Sequence, residues 1–141
     1  MDGDPATLVD INHHDGGPTM SDASTAIDRY LAALNEPDAG KRRALIEQAW
    51  TPTGSLTDPP IEGAGHDGLA AVGDMLHEQF AGHRFARTSQ VDVHHDRYRF
   101  AWALVGPTGA TAVTGMDTGV LGDDGRVGEV VGFFGDLAPL A

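Results

Sequence analysis

The first regular pattern of hydrophobic and polar residues along the chain has apolar residues at helical spacing. Positions i, i+3, i+4 and i+7 are occupied by Ile27, Tyr30, Leu31 and Leu34. This spacing predicts an amphipathic helix with Tyr30 on its buried face. Thr25 and Asp28 resemble a capping box at the start of that helix. We therefore expect the folded part of the chain to begin with a helix that turns Tyr30 inward.

Two further helices are predicted before residue 81. Pro37 ends the first helix, and Asp38 can cap a second one that runs to about Trp50. The inward positions of this second helix are Leu45, Ile46, Ala49 and Trp50. A third helix should follow the sequence GAGHDG, with Leu69, Val72, Leu76 and Phe80 on one face. Gly73 interrupts that helix at a modest cost.

After residue 83 the pattern changes to strands separated by turn signals. The predicted strands are 84–95, 97–105, 111–121 and 126–135. Short connections between them favour antiparallel neighbours. The fold class is therefore α+β: three N-terminal helices pack on one face of a curved, mainly antiparallel sheet, as in a cone-shaped barrel that encloses a pocket.

Composition limits the partners of the chain. Its 141 residues include 9 Lys and Arg against 21 Asp and Glu, a formal charge of −12 that repels nucleic acid and anionic lipid. No apolar run reaches membrane-spanning length and the chain has no cysteine, so we expect a cytoplasmic protein. We expect residues 1–20 to be a flexible extension and 21–141 to be one domain. His13 and His14 in the extension are too weakly spaced to predict a metal site.

The stretch GSLTDPP places Asp58 directly before two prolines. Pro59 favours an extended backbone at Asp58 and, with Pro60, prevents a helix from continuing there. The carboxylate is thus held by a stiff backbone. A surface Asp-Pro turn has the same local pattern, so this stretch alone does not distinguish a turn from a functional site.

With its helices, the GSLTDPP turn and the final GMDTGVLGDDGRVGEVVGFF, the sequence resembles the nuclear transport factor 2-like superfamily over residues 24–136. Within it the chain resembles ketosteroid isomerases and SnoaL-like polyketide cyclases. The closer comparison rests on Arg29-Tyr30, on Thr57-Asp58-Pro59, and on Asp117 eight residues before Gly125 of DDGR. The resemblance implies that Asp58 is a proton-transfer base and that Tyr30 and a protonated Asp117 form an oxyanion hole.

Such a reaction explains why these residue types are needed together. Moving a proton beside a carbonyl group requires a base near the carbon and donors near the oxygen. The two carboxyl groups must differ in protonation, which an apolar wall around Asp117 and water access at Asp58 would achieve. Each residue also has an ordinary interpretation: Tyr30 can be a core residue, and strand alternation leaves open which face Asp117 occupies.

Further pocket residues come from the inward faces of the helices and from the aromatic strands. We select as candidate substrate contacts His77, Trp50, Leu76, Phe80, Trp102 and Phe134. The aromatic residues among them can equally be core or subunit contacts. Because helices cover only one face of the predicted sheet, we expect a homodimer that covers the other face.

These observations favour a small-molecule pocket protein that binds an apolar carbonyl compound. The leading interpretation is an isomerase or cyclase that transfers a proton without cofactor or metal. One alternative is a non-catalytic ligand-binding or accessory protein of the same fold. A third is an epoxide hydrolase of this fold, but such enzymes typically place an arginine two residues from the strand aspartate, where this chain has Gly115 before Asp117.

Overall fold

Three helices and a seven-stranded sheet make up residues 17–140, the part of the chain that this computed structural model describes. His13, His14 and most of the predicted extension lie outside the described residues. The helices are α1 (Met20–Asn35), α2 (Ala39–Ala49) and α3 (Gly65–Gln79). The strands are β1 (Trp50–Asp58), β2 (Ile61–Ala64), β3 (Arg84–Arg87), β4 (Asp92–His94), β5 (Arg97–Val105), β6 (Thr111–Leu121) and β7 (Val127–Phe134).

Helix α1 begins earlier than its apolar pattern predicts. Thr19 is the N-cap: its side chain accepts from the backbone N–H of Asp22, whose carboxylate accepts from the backbone N–H of Thr19. The prediction that Thr25 and Asp28 form the capping box is therefore wrong, since both lie inside the helix. The predicted inward face is confirmed, because its four residues, Ile27, Tyr30, Leu31 and Leu34, are all buried.

Helices α2 and α3 start close to their predicted signals. Asp38 caps α2 by accepting from the backbone N–H of Lys41, as predicted. Helix α3 starts inside the GAGHDG sequence, at Gly65, rather than after it. In the described part of the chain, no helix combines the length and apolar character needed to cross a membrane.

The contact between α2 and α3 depends on Gly73. A β-carbon on Gly73 would lie 2.9 Å from both Cδ and Nε of Arg42. Arg42 is only 3% exposed, donates to the carbonyl oxygens of Glu36 and Pro37, and forms an ion pair with Asp74 at 2.7 Å. The glycine in α3 therefore makes room for a buried arginine that ties all three helices together.

The sheet is mixed and open. Its strand order is β2-β1-β7-β6-β5-β3, with β4 paired to β5, and all pairs are antiparallel except β1 with β7. The predicted strand 84–95 is divided into β3 and β4, and β1 and β2 form a hairpin through Pro59 and Pro60. The fold class is confirmed as helices packed on a curved sheet, but the sheet does not close into a barrel.

The two faces of β6 differ sharply. Gly115, Asp117, Gly119 and Leu121 are buried. Their neighbours alternate to the opposite face, where Met116 is 41% exposed. Asp117 is thus on the inner face of the sheet, the face that the helices cover.

Candidate active site

The register of three strands brings two carboxyl groups to the same glycine. Asp117 on β6 pairs with Gly132 on β7, and Thr57 on β1 pairs with Val131, so Asp58 arrives beside Gly132 from the other side. A β-carbon on Gly132 would overlap Oδ1 of Asp58 and lie 2.7 Å from Oδ1 of Asp117. The space that a side chain would fill at residue 132 is occupied by the two carboxyl groups.

Asp117 is the more buried of the two and accepts two hydrogen bonds. The hydroxyl of Tyr30 donates to its Oδ2 at 2.6 Å, and the indole Nε1 of Trp102 donates to its Oδ1 at 2.9 Å. The pKa of Asp117 is raised to about 7: burial is the largest cause and the charge of Asp58 adds to it, while the hydrogen bonds from Tyr30 and Trp102 oppose the rise. Near neutral pH this carboxyl group therefore has an accessible neutral form.

Asp58 stands at the end of β1 and reaches the surface. It is half-buried, and burial raises its pKa to about 6. Its Oδ1 is buried and, among the residues that the structure describes, has no hydrogen-bond partner. A buried carboxylate oxygen without a donor is an uncommon arrangement in a folded protein, and it favours the neutral form of Asp58.

Tyr30 lies between the aromatic core and Asp117. Its ring packs edge-to-face on Trp50 at a centroid distance of 4.8 Å and on Phe100 at 6.3 Å. Burial, followed by the nearby charge of Asp117, raises the pKa of Tyr30 well above its ordinary value. The hydroxyl therefore keeps its proton and can act as a donor.

The structure brings Tyr30, Asp58 and Asp117 together but distributes the other candidates over three places. Trp50 packs beneath Tyr30. Phe134 packs its ring 5.8 Å from Trp102, and both line an open groove that also contains outer-face residues of the sheet. A small depression farther along α3 contains Leu76, His77 and Phe80.

His77 has a structural partner in that depression. Its Nε2 lies 2.7 Å from the carbonyl oxygen of Leu34. Neither the depression nor the groove is lined by Tyr30, Asp58 or Asp117. Within residues 17–140 no group of three His, Asp or Glu side chains is arranged to hold a metal ion. Tyr30 and Asp117 are buried, and half-buried Asp58 is the member of the trio that reaches solvent.

Sequence reasoning missed one residue of this site and the role of another. Trp102 was selected as a possible wall, whereas the structure makes it a hydrogen-bond partner of Asp117. Gly132 was not selected at all. Counting residues back from the β6–β7 turn would indicate which residue of β7 pairs with Asp117. The register shifts by one residue between Val120 and Leu121, however, so this count misses Gly132 by one position.

Similar proteins are found among solved structures. No protein-family model matches the chain, and no curated protein is significantly similar to it. A candidate isomerase of the SnoaL-like family from Agrobacterium tumefaciens is 36% identical, with a TM-score of 0.78 over 82% of this chain and 99% of its own. A candidate SnoaL-like polyketide cyclase from Jannaschia sp. is 19% identical, with a TM-score of 0.67 over 86% and 91%. A SnoaL-like protein of unknown function from Burkholderia thailandensis is 13% identical, with a TM-score of 0.67 over 85% and 99%.

Proposed function

This chain belongs to the SnoaL-like family, and we propose that it is an enzyme that moves a proton on the carbon beside a carbonyl group of an apolar substrate. The proposal assigns Asp58 as the base and Tyr30, supported by neutral Asp117, as the donor to the carbonyl oxygen. The observation that carries it is the pair of carboxyl groups in unlike environments around Gly132. Asp117 is 1% exposed and accepts two hydrogen bonds, while Asp58 is half-buried and its buried Oδ1 has no partner among the described residues.

In the proposed reaction Asp58 removes a proton from the carbon next to the carbonyl group. The two electrons of the broken C–H bond form a carbon–carbon double bond, and the carbonyl electrons move to oxygen as an enolate. A hydrogen bond from Tyr30 stabilises that charge. In a β,γ-unsaturated substrate Asp58 then returns the proton to the γ-carbon, which re-forms the carbonyl group and moves the double bond into conjugation. In a cyclase reaction the enolate carbon instead attacks a second carbonyl carbon, whose oxygen takes up the displaced electron pair and then the proton from Asp58, which closes a ring.

The electrostatics suit this chemistry near neutral pH. A pKa of about 6 leaves Asp58 mostly ionised at pH 7, yet its conjugate acid is formed easily. A base whose pKa lies near the working pH combines the correct protonation state with a useful driving force. The aromatic core around Tyr30 favours a substrate with an apolar body, because it offers few polar partners.

The test is a proton-exchange measurement with matched variants. Apolar enones and phenols are screened by thermal shift, and the hits are followed by NMR for exchange of the α-proton in D₂O. Asp58→Asn should retain binding and lose about 10²–10⁴-fold in exchange rate, as is typical when a general base is removed. Asp117→Asn should lose less, because an amide still donates a hydrogen bond. Tyr98→Phe removes a buried hydroxyl that donates to the backbone of Glu129 rather than to either carboxyl group, and it serves as the control.

A non-catalytic binding protein is the second candidate. It is favoured by the hydrogen bond from Tyr30 to Asp117, because groups that satisfy each other need no substrate. If a ligand binds the wild-type protein but exchanges its α-proton no faster than with Asp58→Asn, this second function replaces the first.

The epoxide hydrolase alternative finds less support. In the described part of the chain, no arginine is hydrogen-bonded to Asp58 or Asp117. Gly115 pairs with Trp102, and a β-carbon at 115 would overlap the indole ring. A long arginine side chain at that position would therefore displace the hydrogen-bond partner of Asp117.

A further inference from the structure

We propose that Trp102 is a positioning residue: it fixes the proton of neutral Asp117 on Oδ2, so that Asp117 supports Tyr30 and is kept from sharing its proton with Asp58. This inference rests on the proposed function, since it explains how an acid and a base of the same type remain distinct at close range. It adds a role for a residue whose side chain does not touch the proposed reacting atoms.

The hydrogen bond between Trp102 and Asp117 has a fixed direction. An indole N–H is a donor only. Because Nε1 of Trp102 lies 2.9 Å from Oδ1 of Asp117, that oxygen has to present a lone pair towards the indole. The ring is held in place by edge-to-face contacts with Phe85 at 5.5 Å and Phe134 at 5.8 Å. The missing side chain of Gly115 leaves room for it.

The second step concerns the other oxygen of Asp117. With Oδ1 accepting from the indole, the proton of the neutral acid belongs on Oδ2, which lies 2.6 Å from the hydroxyl oxygen of Tyr30. Oδ2–H then donates to Tyr30, and the phenolic hydrogen is free to turn towards a substrate oxygen. When Asp117 is ionised, Tyr30 donates to it instead and loses that freedom. The state of Asp117 therefore decides whether Tyr30 is available as a donor.

The third step concerns Asp58. The oxygen of Asp117 that faces Asp58 across Gly132 is Oδ1, the same oxygen that accepts from Trp102. A proton on Oδ1 would lie beside the unpartnered Oδ1 of Asp58 and could be shared with it. Two carboxyl groups that share one proton behave as a coupled pair, and neither is then a free base. By directing the proton of Asp117 to Oδ2, Trp102 leaves Asp58 without a shared proton and therefore able to act as a base.

The experiment uses the ligand-free full chain and therefore does not depend on turnover. The sequence contains two tryptophans, so ¹⁵N-labelled protein gives two indole N–H signals, and Trp102→Phe identifies which belongs to Trp102. In the wild-type protein we expect the chemical shift of the Trp102 indole N–H to change with pH as Asp117 ionises. In Asp117→Asn that pH dependence should be absent. Infrared difference spectra against Asp117→Asn give the C=O band of the protonated acid. That band should move to higher wavenumber in Trp102→Phe, where the C=O loses its donor, and remain in place in Tyr98→Phe.

The outcomes separate this inference from the proposed function. An indole signal that titrates identically with and without Asp117, or a carboxyl band unmoved by Trp102→Phe, overturns the role of Trp102. If Trp102→Phe does not fold, Trp50→Phe assigns the two indole signals by elimination, and the indole titration still decides the matter. With a ligand from the exchange screen, Trp102→Phe should also lose about 10-fold in exchange rate, the value of one hydrogen bond. A wild-type protein without exchange activity but with the predicted spectra would refute the enzyme proposal and leave the proton assignment standing.

Discussion

At the scale of single residues, the buried carboxyl group of Asp117 makes the fold sensitive to pH. Its folded pKa of about 7 lies above the ordinary value of 3.8. The folded state therefore holds this proton more tightly than the unfolded state does between those two values. The contribution of Asp117 to the free energy of unfolding should be greatest below about pH 4. It should fall as the pH rises through 7. Asp58, with a pKa of about 6, acts in the same direction.

Asp117→Asn should remove most of this pH dependence. The amide oxygen can accept from Trp102 and the amide nitrogen can donate to Tyr30, so both contacts are kept without a charge. We expect the free energy of unfolding of the variant to exceed that of the wild-type protein by a margin that grows from pH 5 to pH 8, because the two should match only below about pH 4. The upper bound is roughly 4 kcal/mol, from about three pKa units. Urea denaturation at pH 5, 6.5 and 8 measures this.

The control for that measurement is a surface carboxylate whose pKa is shifted in the opposite direction. Asp124 is exposed, and hydrogen bonds from Arg126 lower its pKa. Asp124→Asn should leave the decline between pH 5 and 8 unchanged. A decline of equal size in Asp117→Asn and in the wild-type protein would contradict the pKa assigned to Asp117.

At the scale of elements, replacing a helical glycine with alanine should have opposite effects on stability at two positions. The difference depends on what the added β-carbon contacts. Gly73→Ala in α3 would ordinarily stabilise a helix by up to about 1 kcal/mol. Here its β-carbon meets Arg42, whose guanidinium is held by two carbonyl oxygens and Asp74. We expect a loss of about 1–3 kcal/mol, as for overpacking of a core. Chemical denaturation of the variant measures the change.

The matched substitution is Gly40→Ala in α2. Gly40 is exposed, and its β-carbon would meet only Oδ2 of Asp38 at an ordinary 3.5 Å. This variant should be as stable as the wild-type protein or slightly more stable. If Gly73→Ala were stabilising as well, Arg42 would have to move easily, and its role in joining the helices would be refuted.

The elements that the sequence predicted best are those with local signals. The apolar spacing gave the buried face of α1 with Tyr30 on it, and Asp38 marked the start of α2. The division of the strand predicted at 84–95 depends instead on Ser89, whose hydroxyl accepts from the distant backbone of Ala101. The parallel pairing of β1 with β7 joins segments about half the chain apart, and no local pattern encodes it.

The site shows the same division between local and distant information. Tyr30, Asp58 and Asp117 were selected through a family resemblance, and the fold brings them together. The hydrogen bond from Trp102 depends on the pairing of β5 with β6 and on the absence of a side chain at Gly115. The role of Gly132 depends on a bulge. Such features follow from tertiary register, which a single sequence does not specify.

At the scale of the whole molecule, the described residues 17–140 leave one face of the sheet uncovered. The outer face carries Met116 at 41% and Phe133 at 57% exposure. Large exposed apolar groups that are adjacent on a sheet are typical of interfaces, and Met116 pairs directly with Phe133. The homodimer predicted from the sequence remains a prediction, and we expect these two side chains to lie in its interface.

We expect the wild-type protein to sediment as a dimer at micromolar concentration. Phe133→Glu should shift it towards monomer, because a buried unpaired carboxylate at the centre of an interface is costly. Ala32→Glu, on the exposed side of α1, should leave the sedimentation coefficient unchanged. A wild-type protein that sediments as a monomer would contradict the prediction, and then the outer face needs another explanation.

The central position of β7 has a consequence for how the protein acquires its site. Strand β7 lies between β1 and β6 in the sheet, so the two carboxyl groups are neighbours only once it has inserted. Contacts between segments so far apart in sequence form late and slow the folding of a domain. A refolding chain should therefore collapse around its helices and the β5–β6 hairpin before Asp58 meets Asp117. On this order the two carboxyl groups come together in the last step, and the burial that raises the pKa of Asp117 is complete only then.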